Sequence, residues 1–231
     1  MALHGQGSAM TELQSSVPTV FTKGARILFQ GDSITDCGRD RASRTANTTA
    51  ELGNGYPLLV AAGLLRKYPA LRLEVMNRGI GGNRVPDLLS RWNADTIDLK
   101  PDIVSILVGV NDYWHRKKHG YNGTNADYAA EYRQLVQSTR AALPSTTLII
   151  LEPFVLRTGE IDGTWFPAFD EVRAIAAQIA EEAHATFVPV QATLSALAET
   201  TGPEYWTADG VHPTLAGHAL LADLWRTAVG V

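Results

Sequence analysis

Residues 103–109 read IVSILVG, seven positions with one hydroxyl and no charge. A strand with one face in water alternates apolar and polar residues. This stretch does not, so both of its faces are expected under cover, as in a parallel sheet flanked by helices. Residues 25–30 (ARILFQ), 73–77 (LEVMN), 147–151 (TLIIL) and 186–190 (TFVPV) share that short, largely apolar character and complete a set of five buried strands. Helical patterns lie between them. Tyr128, Tyr132, Leu135, Val136, Thr139 and Leu143 recur at three- and four-residue steps until Pro144; Phe169, Val172, Ile175, Ile179 and Ala183 do so after Pro167. Residues 56–68, 86–98 and 213–228 supply three more helices, the last expected to open with Pro213 in its first turn. Strand–helix alternation with short connections implies right-handed crossovers and an α/β fold, a parallel sheet covered on both sides. Residues 1–24 are rich in Gly, Ser, Thr and Gln without a period, so a loose arm is expected there, followed by one domain over residues 25–231.

Composition narrows the function. Hydrophobic residues make up 45% and charged residues 19% of the 231, the balance of a folded globular chain. Lys and Arg number 20 against 24 Asp and Glu, giving a net charge of −4. No basic excess is available for nucleic acid or an anionic membrane, so neither partner is expected. The single cysteine, Cys37, excludes an internal disulfide and a multi-cysteine metal site. The first twenty residues lack a basic segment followed by an apolar one, so a cytoplasmic location is expected.

Ligands of open α/β sheets bind beyond the carboxyl ends of the strands, which makes the following loops the place to look for chemistry. After the first strand stands Gly31-Asp32-Ser33-Ile34-Thr35-Asp36. Its serine, at a strand-to-helix turn, suits a nucleophile whose own N–H faces an oxyanion, or equally a helix N-cap. After the second stands Asn77-Arg78-Gly79-Ile80-Gly81-Gly82-Asn83, where three glycines allow a close backbone approach to a ligand or simply a tight turn. After the third comes Gly109-Val110-Asn111-Asp112, whose asparagine is a neutral donor for developing negative charge or the head of an Asx-turn. Near the end stands Asp209-Gly210-Val211-His212-Pro213, a carboxylate three residues before a histidine. Serine hydrolysis needs a histidine base and a carboxylate that fixes its tautomer. Each block is weak alone; the four together are specific.

Taken in this order, the blocks GDSITD, GIGGN, GVND and DGVHP resemble the SGNH (GDSL-type) hydrolase family from about Arg26 to the end of the chain. The resemblance implies a flavodoxin-like three-layer α/β/α fold with a five-stranded parallel sheet. It implies Ser33 as nucleophile, His212 as base and Asp209 as its orienter. The oxyanion hole it implies comprises the Ser33 and Gly82 amides with the Asn111 side chain. Gly81 stands where serine is common, so either glycine is a candidate donor; Gly82 is chosen because it precedes Asn83. The longer strings GDSITDCGR, GIGGNRVPDLLSRW and VHPTLAGH are similar to bacterial acetylxylan esterases and other carbohydrate acetylesterases. That likeness implies a small acetylated carbohydrate or other short-chain ester as substrate, with no cofactor and no metal. The oligomeric state stays open, a homo-oligomer included.

Residues 37–55 form a polar stretch with three arginines after the serine, expected to be a loop that suits an acetyl group better than a long acyl chain. Asp32, Arg84, Trp114, Tyr205 and Trp206 are candidate substrate-binding residues, the aromatics because a ring can pack on a sugar face. Arg84 could instead brace Asp112, and two of the four aromatics Tyr113, Trp114, Tyr205 and Trp206 could serve the core. His115 and His119 have a metal-like i, i+4 spacing, but the intervening Glu of a zinc hydrolase is missing, so a solvated basic surface is expected. Cys37 is expected to be a small buried hydrophobe. Two alternatives remain at this point: a thioesterase or lysophospholipase, and a binding module without turnover.

Overall fold

The computed structural model describes residues 20–231. Five parallel strands form one sheet: β1 (Arg26–Gly31), β2 (Glu74–Asn77), β3 (Ile103–Leu107), β4 (Thr147–Leu151) and β5 (Thr186–Val188), in the order β2-β1-β3-β4-β5. Every residue of β3 is buried, Ser105 included, as its nearly continuous apolar run requires. Among the described residues the helices are α1 (Ser33–Asp36), α2 (Thr49–Leu52), α3 (Tyr56–Lys67), α4 (Val85–Trp92), α5 (Val110–Lys118), α6 (Asn125–Ala142), α7 (Ala168–Glu182), α8 (Gln191–Thr201) and α9 (Leu215–Ala228). Helices α3 and α9 pack together as one layer, and α4, α6 and α7 form the other. The sheet is thus covered on both faces, giving the expected three-layer α/β/α arrangement. None of the described helices is long and apolar enough to cross a membrane.

Two of the buried indoles find hydroxyl partners inside the layers. The Trp225 indole donates to Ser105 Oγ on β3 at 3.0 Å, and the Trp92 indole to Thr139 Oγ1 at 2.9 Å. Each large ring thereby buries its area without leaving an N–H unsatisfied.

Several expectations change. The chain is already part of the core before residue 25, because Phe21 is buried against Tyr68 with ring centroids 6.1 Å apart. The arm expected over 1–24 is therefore too long at its C-terminal end; residues 1–19 lie outside the described residues. The helix expected over 86–98 is α4 followed by a π-helical turn, Asn93–Ile97, where Thr96 Oγ1 accepts from Gln30 at 2.7 Å. Pro213 does not open the last helix. It bridges to Thr207, and Thr214 caps α9 by accepting from the Gly217 N–H. Helices α5 and α8 were not expected. The polar stretch 37–55 holds α2, whose Glu51 and Leu52 are buried.

The order of the strands reverses at β1. From it the chain passes first to β2 on one side and later to β3 on the other, so the crevice lies beyond Gly31 and Leu107, which pair in register. Gly31 must be glycine: a Cβ there would collide with the Leu107 carbonyl and the Thr35 hydroxyl. This close approach sets the loop after β1 beside the loop after β3.

Candidate active site

Asp32, not Ser33, caps α1. Its Oδ1 accepts from the Ile34 N–H at 3.0 Å, which leaves the Ser33 hydroxyl free for other work. That hydroxyl lies 2.8 Å from His212 Nε2. On the far side of the ring, His212 Nδ1 lies 2.7 Å from Asp209 Oδ2. Asp209 Oδ1 also accepts from the His212 N–H at 2.7 Å and the Val211 N–H at 3.0 Å, so the turn closes on its own carboxylate. Backbone bonds fix this turn in place: Leu156 N–H donates to Gly210 O, and Glu160 N–H to Asp209 O. Burial pushes the Asp209 carboxyl up, but the hydrogen bonds from His212 and Val211 outweigh it and hold it below the usual carboxylate range. An ionised Asp209 can only accept, so Nδ1 carries the proton and Nε2 presents its lone pair to the Ser33 hydroxyl.

The glycine turn lies beside this relay. Asn83 N–H donates to Ile80 O at 3.1 Å, and Gly82 takes a φ of 81°, the pattern of a type II turn with glycine at its third position. The Gly81 N–H is occupied by Asp36 Oδ2 at 2.8 Å. The Gly82 N–H has no acceptor among the described residues. Of the two candidates, Gly82 is therefore the amide open to an incoming oxygen. Asn111 sits in the first turn of α5, 5% exposed, and its Nδ2 donates to Asn83 O at 3.2 Å, leaving its second N–H available. The Ser33 N–H belongs to the first turn of α1, where no helical acceptor exists.

Other candidates separate. Asp32 is 1% exposed and turned inward, so it is unsuited to touching substrate. Arg84 pairs with Asp87 at 2.9 Å and lies 4.1 Å over the Tyr121 ring; Asp112 instead accepts from the Val85 N–H, so Arg84 braces Asp87 and not Asp112. Trp114 stands at the site, its ring 6.1 Å from that of His212. Tyr113 belongs to the core against Trp165 and Phe169. The Trp206 indole is tied to Thr201 Oγ1 at 2.7 Å, and Tyr205, 56% exposed, packs edge-on against Trp206. His115 and His119 stack edge-to-face at 5.2 Å. Cys37 is half-buried rather than buried, its Sγ 3.4 Å from His218 Nε2. A cleft of about 380 Å³ opens elsewhere, between residues such as Arg157, Phe166, Gln191 and Glu199, and none of the four block residues lines it. Reactive geometry, not volume, locates this site. Two neighbours of the relay, Asp36 and Arg41, escape a reading of the sequence because nothing in their spacing announces that they meet the glycine turn.

Asp32 and Asp112 are both pushed up to about 7, chiefly by burial, with Asp32 further raising Asp112. Both ordinary values are 3.8, so between about pH 4 and 7 the unfolded chain binds fewer protons than the native one. The stability these groups contribute is full below pH 4 and lost as pH rises through 7. Asp112→Asn is expected to lose less of its melting temperature between pH 5 and pH 8 than the native chain does. Equal losses in thermal melts would show that Asp112 is ionised throughout.

This chain is similar to known proteins of one family. Residues 29–220 match the model of the GDSL-like Lipase/Acylhydrolase family. The chain is 38% identical over 214 residues to an acetylxylan esterase of Geobacillus stearothermophilus, covering 90% of this chain and 94% of that one. The crystal structure of Axe2, an acetylxylan esterase of that organism, superposes with a TM-score of 0.83 at 37% identity, covering 91% of this chain and 96% of the other. Solved forms of Axe2 include catalytic mutants in which a serine, an aspartate and a histidine are each replaced by alanine. A protein of Parabacteroides merdae described as a GDSL-like lipase superposes with a TM-score of 0.89 at 46% identity, covering 91% of this chain and 97% of the other. With the four blocks gathered at one end of the sheet and the family's model spanning most of its length, this chain belongs to the GDSL-like lipase/acylhydrolase family.

Proposed function

We propose that the protein is a serine acetylesterase that removes acetyl groups from sugar hydroxyls, as on fragments of acetylated xylan, through an acyl-enzyme. The observation that carries this reading is the unbroken relay from Ser33 Oγ to His212 Nε2 at 2.8 Å and from His212 Nδ1 to Asp209 Oδ2 at 2.7 Å. His212 takes the Ser33 proton as Oγ attacks the acetyl carbonyl carbon. The amides of Ser33 and Gly82 and the Asn111 side chain hold the oxyanion of the tetrahedral intermediate. His212 then passes its proton to the departing sugar oxygen, leaving an acetyl group on Ser33. Water, activated by the same imidazole, attacks that ester and releases acetate.

The substrate class rests on the likeness to an acetylxylan esterase and on what surrounds Ser33. Gly81 and Gly82 are exposed, the Asp36–Arg41 pair stands beside Gly81, and Trp114 stands beside His212. Such surroundings offer little apolar surface to a long chain, whose methylenes would each gain about 0.8 kcal/mol only if buried. Trp114, beside the base, is better placed than Trp206 to stack on a sugar ring.

The test is a rate series on 4-nitrophenyl esters from acetate to octanoate, with acetate release from acetylated xylo-oligosaccharides alongside. Rates are expected to fall steeply with chain length. Trp114→Ala is expected to cost the sugar substrate more than 4-nitrophenyl acetate. Rates that rise toward octanoate would favour a lipid or thioester substrate, and equal losses in Trp114→Ala would assign that ring to packing.

A further inference from the structure

Asp36 closes α1 three residues after Ser33 and is 6% exposed. Its Oδ2 accepts three hydrogen bonds: from the Gly81 N–H at 2.8 Å, from Arg41 Nη2 at 2.5 Å and from Arg41 Nε at 3.2 Å. One carboxylate oxygen thus joins the segment that carries Ser33 to the turn that carries Gly82. The same two segments meet at other points, where Ile80 N–H donates to Gly31 O at 3.1 Å and Arg39 Nε to Gly79 O at 2.8 Å. Those bonds hold the base of the turn. Asp36 alone, among the described contacts, holds its tip.

We propose that Asp36, backed by Arg41, is a positioning residue for the oxyanion hole, gripping the Gly81 amide so that the neighbouring Gly82 N–H points at the developing oxyanion. The inference rests on the reading of Ser33 as nucleophile and Gly82 as oxyanion donor. The tip needs such a grip because Gly81 and Gly82 are exposed, and a Cβ on Gly82 would meet nothing within 4 Å. A two-glycine tip without side-chain packing samples many backbone conformations, and a donor misplaced by an ångström stabilises an oxyanion poorly. A carboxylate gripping an amide gives a charge-assisted bond, stronger than a neutral one. Arg41 adds to it by fixing the carboxylate's orientation, while its own side chain stays 55% exposed at the rim. A Cβ on Gly81 would lie 3.7 Å from the Ser33 Cβ, which places the gripped residue directly beside the nucleophile.

A positioning role for the oxyanion donor has a kinetic signature that a general packing role lacks. The oxyanion exists only in the tetrahedral states, so losing the grip lowers kcat and leaves ground-state binding nearly unchanged. By analogy with the loss of an oxyanion donor, Asp36→Ala is expected to lower kcat on 4-nitrophenyl acetate about 10–100-fold, with KM within about threefold. Phenylboronic acid, whose adduct with a serine Oγ places a boron-bound oxygen in the same hole, is expected to bind more weakly by a similar factor. Asp36→Asn keeps an oxygen where Gly81 and Arg41 donate, so it is expected to retain kcat within about threefold to fivefold. Arg41→Ala is expected to fall between the two.

The experiment is therefore kcat, KM and phenylboronic acid affinity for the native protein, Asp36→Ala, Asp36→Asn and Arg41→Ala, each checked by thermal melting. Should Asp36→Ala melt below the assay temperature, Asp36→Ser, which also withdraws the acceptor from Gly81, carries the same expectation. The proposal is overturned if kcat is unchanged in the folded variant, if Asp36→Asn is as impaired as Asp36→Ala, or if kcat falls while boronic acid affinity holds. An inactive native protein would instead overturn the esterase reading on which the proposal stands.

Discussion

Ser33→Ala is expected to fold normally and to turn over 4-nitrophenyl acetate about 10⁶-fold more slowly, the scale on which loss of a serine nucleophile acts in related chemistry. The size follows from position. Ser33 Oγ is the hydroxyl held 2.8 Å from His212 Nε2, and without it there is no covalent intermediate to divide one difficult hydrolysis into two easier steps. The fold is expected to survive because the cap of α1 is Asp32, whose carboxylate receives the Ile34 N–H. Deleting one partly exposed hydroxyl removes no cap and opens no cavity. Thermal melting and steady-state kinetics on the same preparation check both halves. A folded variant within tenfold of the native rate would remove Ser33 from the chemistry.

Asp209→Asn is expected to cost about 10⁴-fold in kcat, as in other triads where the carboxylate becomes an amide. Asp209 Oδ1 already accepts two backbone N–H groups, from Val211 and His212. An asparagine there places its oxygen on those donors, which turns its NH₂ toward His212 Nδ1. That nitrogen must then accept, the ring proton moves to Nε2, and the imidazole can no longer take the Ser33 proton. The geometry survives while the tautomer is wrong. Kinetics, with melting to confirm the fold, test this, and near-native turnover would show that Asp209 only shapes the turn.

How much of this was legible beforehand depends on what each residue's role requires. The five strands could be read because a strand buried on both faces admits few polar residues, as the fully buried β3 with its single Ser105 illustrates. The four blocks could be read because each follows a strand or precedes the last helix, where a parallel sheet places its ligand. Helix α5 (VNDYWHRKK) was missed because only its first turn is buried and its last turn is basic, so no apolar stripe forms. Helix α8 (QATLSALAETT) is built of small and polar residues, with Gln191 and Leu194 alone buried. Side-chain direction was the least legible level. Asp32 and Asp36 stand on the same short segment, yet one turns into the core to cap α1 and the other reaches across to Gly81. Arg84 likewise pairs with Asp87, one turn onward, and so does not reach Asp112. Such choices are set by which loop the tertiary fold brings alongside, and spacing along the chain does not encode that. Trp114 and Trp206 were both candidates in sequence; only the fold puts one beside His212 and ties the other to Thr201.

The central claim is that an acyl group passes through Ser33. Rapid-quench mass spectrometry of the native protein mixed with 4-nitrophenyl acetate tests it most directly. One acetyl group on the peptide carrying Ser33, formed with the burst of nitrophenol and absent in Ser33→Ala, is the expected result. Turnover with no adduct in any quench, or an acetyl group on Cys37 or another residue while Ser33 stays free, would contradict it.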